Sequence, residues 1–140
     1  VFITGNNLAL QKQLTALAQA SPHQIRVTGY TEAVHTLMAG ADLLITKPGG
    51  LTCSEAIAAD LPFLIVEPIP GHEQDNAAYL EQKGVTLCVQ NPVQILKSLN
   101  SLTEYSPATF TPIPEAVQQL RKPEAARKIA NIVLNRLGPQ

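Results

Sequence analysis

The sequence predicts an α/β fold with a doubly wound parallel sheet. Three observations carry that expectation. Five short apolar or β-branched runs recur along the 140 residues, and each is followed by a segment with helical spacing of apolar positions. The turns between them are short and marked by Gly, Pro and Asn, which forces parallel pairing through right-handed crossovers. The third run, Leu43-Leu44-Ile45, is continuously apolar, as expected of a strand covered on both faces.

Each element has its own signal. Val1-Phe2-Ile3-Thr4 is a β-branched run stopped by Gly5-Asn6-Asn7. Leu8, Leu14, Leu17 and Ala18 recur at helical spacing, and Ser21-Pro22 ends that helix. Gln24 to Thr28 is the second strand, closed by Gly29-Tyr30-Thr31. Val34, Leu37, Met38 and Ala41 define the next helix, with Thr31 as N-cap and Gly40 near its end. Asp42 to Thr46 is the third strand. A Pro48-Gly49-Gly50 turn leads into a helix from Thr52 to Asp60. Phe63 to Val66 is the fourth strand, and a Pro/Gly-rich loop precedes a helix from about Gln74 to Gln82, terminated by Gly84. Val85 to Val89 is the fifth strand. Asn91-Pro92 reads as an N-cap followed by Pro at the first helical position, opening a helix to about Leu102. The whole is Rossmann-like over residues 1–105. Residues 106–114, with three prolines between Ser106 and Pro114, read as a linker, and 115–140 as a helical segment with a break at Pro123. Ala126, Ile129, Ala130, Val133, Leu134 and Leu137 form one apolar stripe on that segment.

Composition removes several function classes. The net charge of −1 gives no bulk attraction to nucleic acid, and three Phe, three Tyr and no Trp leave no stacking platform for single strands. No apolar run reaches the length of a membrane span, and no signal peptide is present. Cys53 and Cys88 lack a CxxC spacing and read as reduced thiols of a cytoplasmic protein. His23 and His35 have no ligand-like spacing to His72, so no metal site is expected. The chain opens at Val1 within a strand and without an initiating Met, and is expected to be one domain of a longer protein.

The chemistry concentrates in two strand-to-helix loops. In an open α/β sheet such loops line the ligand crevice at the carboxyl ends of the strands. Lys47-Pro48-Gly49-Gly50 joins a strand to a helix, so its backbone N–H groups and the helix dipole suit a diphosphate. The plainer alternative is that the glycines only supply positive φ. It is neither a P-loop nor a GxGxxG fingerprint. Thr52-Cys53-Ser54-Glu55 matches a capping box, in which Glu55 caps its own helix; the same carboxylate at the mouth of the crevice can also accept both hydroxyls of a ribose. His72-Glu73-Gln74-Asp75-Asn76 offers the density of donors and acceptors that a hexose needs, or simply a solvated first turn. No nucleophilic triad follows from spacing.

The string Ala41 to Thr52, then Ser54-Glu55-Ala56, Pro62, Pro70-Gly71-His72-Glu73 and Asn76-Ala77, resembles the C-terminal domain of glycosyltransferase family 28. The diacylglycerol glycosyltransferase branch, which includes the monogalactosyldiacylglycerol synthases and processive diacylglycerol glucosyltransferases, is most similar. The peptidoglycan N-acetylglucosaminyltransferase is more distantly similar. The resemblance covers nearly the whole chain. It implies the donor-binding half of a GT-B enzyme that uses a UDP-sugar as substrate and no bound cofactor. The acceptor, a lipid such as diacylglycerol, and the catalytic base would belong to an N-terminal domain, which would also carry any peripheral contact with the cytoplasmic membrane face. By matched positions, Lys47, Gly49, Gly50 and Thr52 would face the diphosphate and Glu55 the ribose. The backbone at Tyr30 would read the uracil, beside the glycine turn at Gly5 and Asn6. His72, Glu73 and Gln74 would contact the sugar, with Asn76 supporting their loop. His72 replaces the Gln of many relatives, which leaves the choice between glucose and galactose open. Two other classes share this architecture: a UDP-N-acetylglucosamine 2-epimerase, and a non-catalytic nucleotide-binding module.

Overall fold

The computed structural model describes residues 1–104 and 114–137. They divide into two compact units, Val1–Leu37 and the chain from Met38 onward. Strands and helices alternate as expected up to residue 104, and every strand pairing is parallel. The ladder bonds form two sheets rather than one run of five strands, with two strands in the first unit and three in the second.

In the first unit, β1 (Phe2–Ile3) pairs with β2 (Val27–Thr28), extended by Phe2 N–H donating to Arg26 O at 2.8 Å and Thr4 N–H to Thr28 O at 3.0 Å. Helix α1 (Leu8–Ala20) starts at Asn7, whose Oδ1 accepts from Leu10 N–H at 3.0 Å, and ends at Ser21 as expected. Helix α2 (Val34–Ala39) is shorter than its apolar spacing suggested. Thr31 is not its cap. The Thr31 hydroxyl accepts from Ala33 N–H at 3.1 Å, a local turn that competes with capping, and the first helical bonds run to Ala33 O.

The second unit is built on β4 (Phe63–Val66), flanked by β3 (Leu44–Thr46) and β5 (Thr86–Val89). Phe63, Leu64 and Ile65 are fully buried, so β4 is the centre of the core. Ile45 is 43% exposed, so β3 is not covered on both faces as its apolar run suggested. Helix α3 (Gly50–Ala58) buries Cys53, Ala56 and Ile57, spaced i, i+3 and i+4. Helix α4 (His72–Gln82) buries Ala77 and Leu80 and stops at Gly84, whose φ of +70° suits glycine. Full burial of such side chains stabilises by roughly 1.5–3 kcal/mol each before entropy is counted. The Thr86 hydroxyl, buried in this core, donates to Phe63 O at 2.7 Å. Helix α5 (Pro92–Glu104) opens as predicted, with Asn91 Oδ1 accepting from Gln94 N–H at 3.0 Å.

Most of the expected linker lies outside the described residues. Helices α6 (Pro114–Leu120) and α7 (Ala125–Leu137) bracket the break expected at Pro123. Val117 of α6 is buried, and Arg121 pairs with Asp60 at 2.8 Å, tying this segment to the end of α3. Ile129, Ile132, Val133 and Leu134 of α7 are all exposed, so the stripe read from the sequence is unpartnered among the described residues.

Both cysteines are free thiols, Cys53 buried on α3 and Cys88 half-buried on β5. Burial, and secondarily the charge of Cys88, pushes the Cys53 thiol from its ordinary 9.0 up to about 11. Burial and then Glu81 raise Cys88 in the same direction. Between pH 9 and 11 the unfolded chain therefore releases the Cys53 proton while the folded chain keeps it. Folding stability attached to this thiol is complete below pH 9 and lost as pH rises through 11. The melting-temperature advantage of wild type over Cys53→Ala should shrink across that window. An advantage independent of pH would contradict the assignment.

Candidate functional site

The two loops that the sequence singled out lie side by side in the second unit, because β3 and β4 are hydrogen-bonded neighbours. The first runs from Lys47 to Gly50. Pro48 is buried and anchors it, Lys47 is exposed, and Gly49 N–H donates to Lys47 O at 2.8 Å. Helix α3 begins two residues earlier than its Thr52 suggested. Gly49 is the N-cap residue, and Cys53 N–H donates to Gly49 O at 3.0 Å. The capping box of Thr52 and Glu55 is therefore absent: both residues stand inside the helix, past the positions where a side chain can cap. Thr52 sits under the turn, with Oγ1 3.9 Å from where a Cβ on Gly49 would be. The Ser54 hydroxyl donates to Gly50 O at 2.7 Å.

The glycine pair is informative for what its backbone does not do. Gly49 has φ −66°, and Gly50 is not among the residues with positive φ. A Cβ on Gly50 would meet nothing within 4 Å, and one on Gly49 only the Thr52 hydroxyl. The plainer alternative, that these glycines only supply positive φ, is thus overturned: the fold itself does not require them. What they leave is an exposed backbone at the N-terminus of α3, where N–H groups have no helical partner.

The second loop, 67–71, is held by its own helix. Glu73 Oε2 accepts from Ile69 N–H at 2.9 Å, and Gly71 turns the chain into α4 with φ +100°. His72 and Gln74 are exposed in the first turn. Asn76 reaches back to the first loop, with Nδ2 donating to Pro48 O at 3.0 Å. Glu55 lies one turn beyond Leu51 on the exposed face of α3, and its carboxylate makes no hydrogen bond or ion pair among the described residues.

The remaining predicted residues belong to the first unit. Gly5 turns with φ +56° after β1, and Gly29 follows β2. These turns approach closely: a Cβ on Gly29 would lie 3.4 Å from both Gly5 O and Gln11 Oε1. Asn6 is exposed, and Tyr30 presents 68% of its surface to solvent. Gln11 stands beside Gly29, a place with no local signature in the sequence. Leu51, an apolar residue inside a polar turn, is 83% exposed at the start of α3. Among the described residues no three His, Cys, Asp or Glu side chains converge as metal ligands would. No described helix is long and apolar enough to cross a membrane.

The second unit thus presents an open glycine turn at a helix start on a parallel α/β scaffold. The chain belongs to glycosyltransferase family 28, matching its C-terminal domain over residues 1–130. It is 32% identical over 134 residues to a processive diacylglycerol beta-glucosyltransferase of Bacillus cereus (strain AH187), covering 96% of this chain and 34% of that protein. A protein of the same description from Bacillus thuringiensis (strain Al Hakam) is 31% identical over the same length. The chain thus spans about a third of the length of the curated relatives it matches. The crystal structure of Acinetobacter baumannii MurG superposes with a TM-score of 0.69 at 21% identity, covering 94% of this chain and 40% of that one. That likeness establishes the Rossmann-like fold, that of one half of a GT-B architecture.

Proposed function

We propose that this chain is the donor-binding part of an inverting glycosyltransferase that takes a UDP-hexose and passes the hexose to a lipid acceptor such as diacylglycerol. The observation that carries the reading is the glycine pair at 49–50, which keeps space open over the start of α3 although its own backbone has no need of glycine. Such a space admits the oxygens of a diphosphate to unpartnered N–H groups. Lys47 and the Thr52 hydroxyl add a charge and a donor. The helix dipole and these donors stabilise the departing diphosphate in place of a bound metal or other cofactor.

The Glu55 carboxylate, unengaged within the fold, takes the ribose hydroxyls. His72, Gln74 and the second carboxylate oxygen of Glu73 face the sugar. Glucose is the favoured hexose, since the curated relatives are described as glucosyltransferases. Transfer also needs a base within hydrogen-bond reach of the acceptor hydroxyl. With Glu55 and Glu73 assigned to the donor, the base, the acceptor site and any peripheral membrane contact are assigned to a domain outside this chain.

The 140-residue chain should therefore bind UDP without transferring sugar. Backbone amide shifts on titration with UDP should saturate and map to residues 47–55 and 71–76. Diacylglycerol and UDP-glucose or UDP-galactose should give no glycolipid with this chain alone. Shifts confined elsewhere would reject the donor site, and turnover would place the base within these loops.

A further inference from the structure

We infer that Asn76 is a positioning residue that fixes the spacing between the two loops of the site, so that the site distinguishes an intact nucleotide-sugar from the spent nucleotide; this rests on the donor-binding reading above. Each loop is braced internally. The first is closed by the Gly49–Lys47 backbone bond and by its run into α3, the second by Glu73 on Ile69 N–H. Between them, among the described residues, the only hydrogen bond is Asn76 Nδ2 to Pro48 O at 3.0 Å, joining positions 28 apart in sequence. The β3–β4 ladder sets the loops side by side, and this bond is the tie between them beyond the sheet. Its two residues also border a cavity of about 170 Å³, lined by Pro48, Gly50, Cys53, Asn76 and Tyr79 among others, so side chains do not fill all the space there.

The consequence depends on what the ligand spans. A UDP molecule engages the first loop and is indifferent to where the second stands. A UDP-hexose engages both, so it binds at full strength only when their separation matches its own length. Without the Asn76 link, the ligand must itself order one loop against the other. The link therefore favours the donor over the product nucleotide, which helps release of the spent UDP after transfer.

The test is calorimetric titration of the full-length protein with UDP and with UDP-glucose, without acceptor. Asn76→Ala should weaken UDP-glucose roughly two- to ten-fold more than UDP, the range for one hydrogen bond. Asn76→Asp keeps the size but sets a carboxylate against the Pro48 carbonyl. It should show the same selective loss at pH 7.5, because an ionised carboxylate can only accept. The wild-type ratio of the two affinities is the reference. Equal losses for both ligands, or an unchanged ratio in both variants, would overturn the inference while leaving the donor site standing. Failure of the wild type to bind either nucleotide would overturn the donor reading, and the inference with it.

Discussion

Gly50→Val should abolish measurable UDP binding while leaving the melting temperature of the domain close to that of wild type. The two halves of this expectation have different physical origins. Stability is spared because Gly50 does not have positive φ and a Cβ there meets nothing within 4 Å of the fold. It is also the first residue of α3, where Val is a better helix former than Gly. Binding is lost because the branched side chain fills the space through which phosphate oxygens would reach the backbone. Losing two charge-assisted hydrogen bonds costs about 3 kcal/mol or more, over a hundred-fold in affinity. Calorimetry with UDP, beside a thermal melt, separates the two. Unchanged affinity would remove the phosphate role from this loop. A large fall in melting temperature would instead mean that the turn needs its glycine for folding. Gly49→Ala is a milder companion, since its Cβ would come only within 3.9 Å of the Thr52 hydroxyl.

How much of this was legible in the sequence depended on how local each cause was. Strand β4 was read to the residue, because Phe63-Leu64-Ile65-Val66 is an unbroken apolar run between prolines at 62 and 68. The start of α5 was equally plain, since Asn91 caps through its own side chain. The start of α3 was misplaced because Thr52 and Glu55 carry the spacing of a capping box, while the real N-cap, Gly49, has no side chain to announce itself. The exposure of Ile45 was invisible for another reason: an apolar run says that a strand can be buried, not what covers it. The link from Asn76 to Pro48 crosses 28 residues and follows from the pairing of β3 with β4, which no local pattern encodes. That residues 47–49 and 67–71 connect strand to helix was legible, since glycine pairs and polar clusters at strand ends are local signals. Which residues brace a loop and which remain free for a ligand needed the structure. Glu73 is partly engaged and Glu55 is not, although both were read as ligand contacts.

That contrast sharpens the expected outcome of Glu55→Gln. From sequence alone a capping carboxylate predicts lost stability with UDP affinity retained, whereas a ribose acceptor predicts the reverse. The structure removes the first possibility, because α3 begins at Gly50 and Glu55 sits in its second turn, its carboxylate exposed and without a partner among the described residues. Gln is close to Glu in helix propensity, so the melting temperature should move little. The amide keeps one acceptor oxygen but loses the charge and the second acceptor, so a pair of ribose hydroxyls is held less firmly. UDP affinity should fall by about 1.5–3 kcal/mol, the range for hydrogen bonds to a charged group, or roughly ten- to more than a hundred-fold. A 2′,3′-dideoxy analogue of UDP should bind wild type and Glu55→Gln with the same affinity, because the groups that Glu55 would hold are gone from the ligand. If the dideoxy analogue is weakened as much as UDP, the carboxylate acts on something other than the ribose. If neither ligand is affected, Glu55 is an ordinary solvated residue on α3.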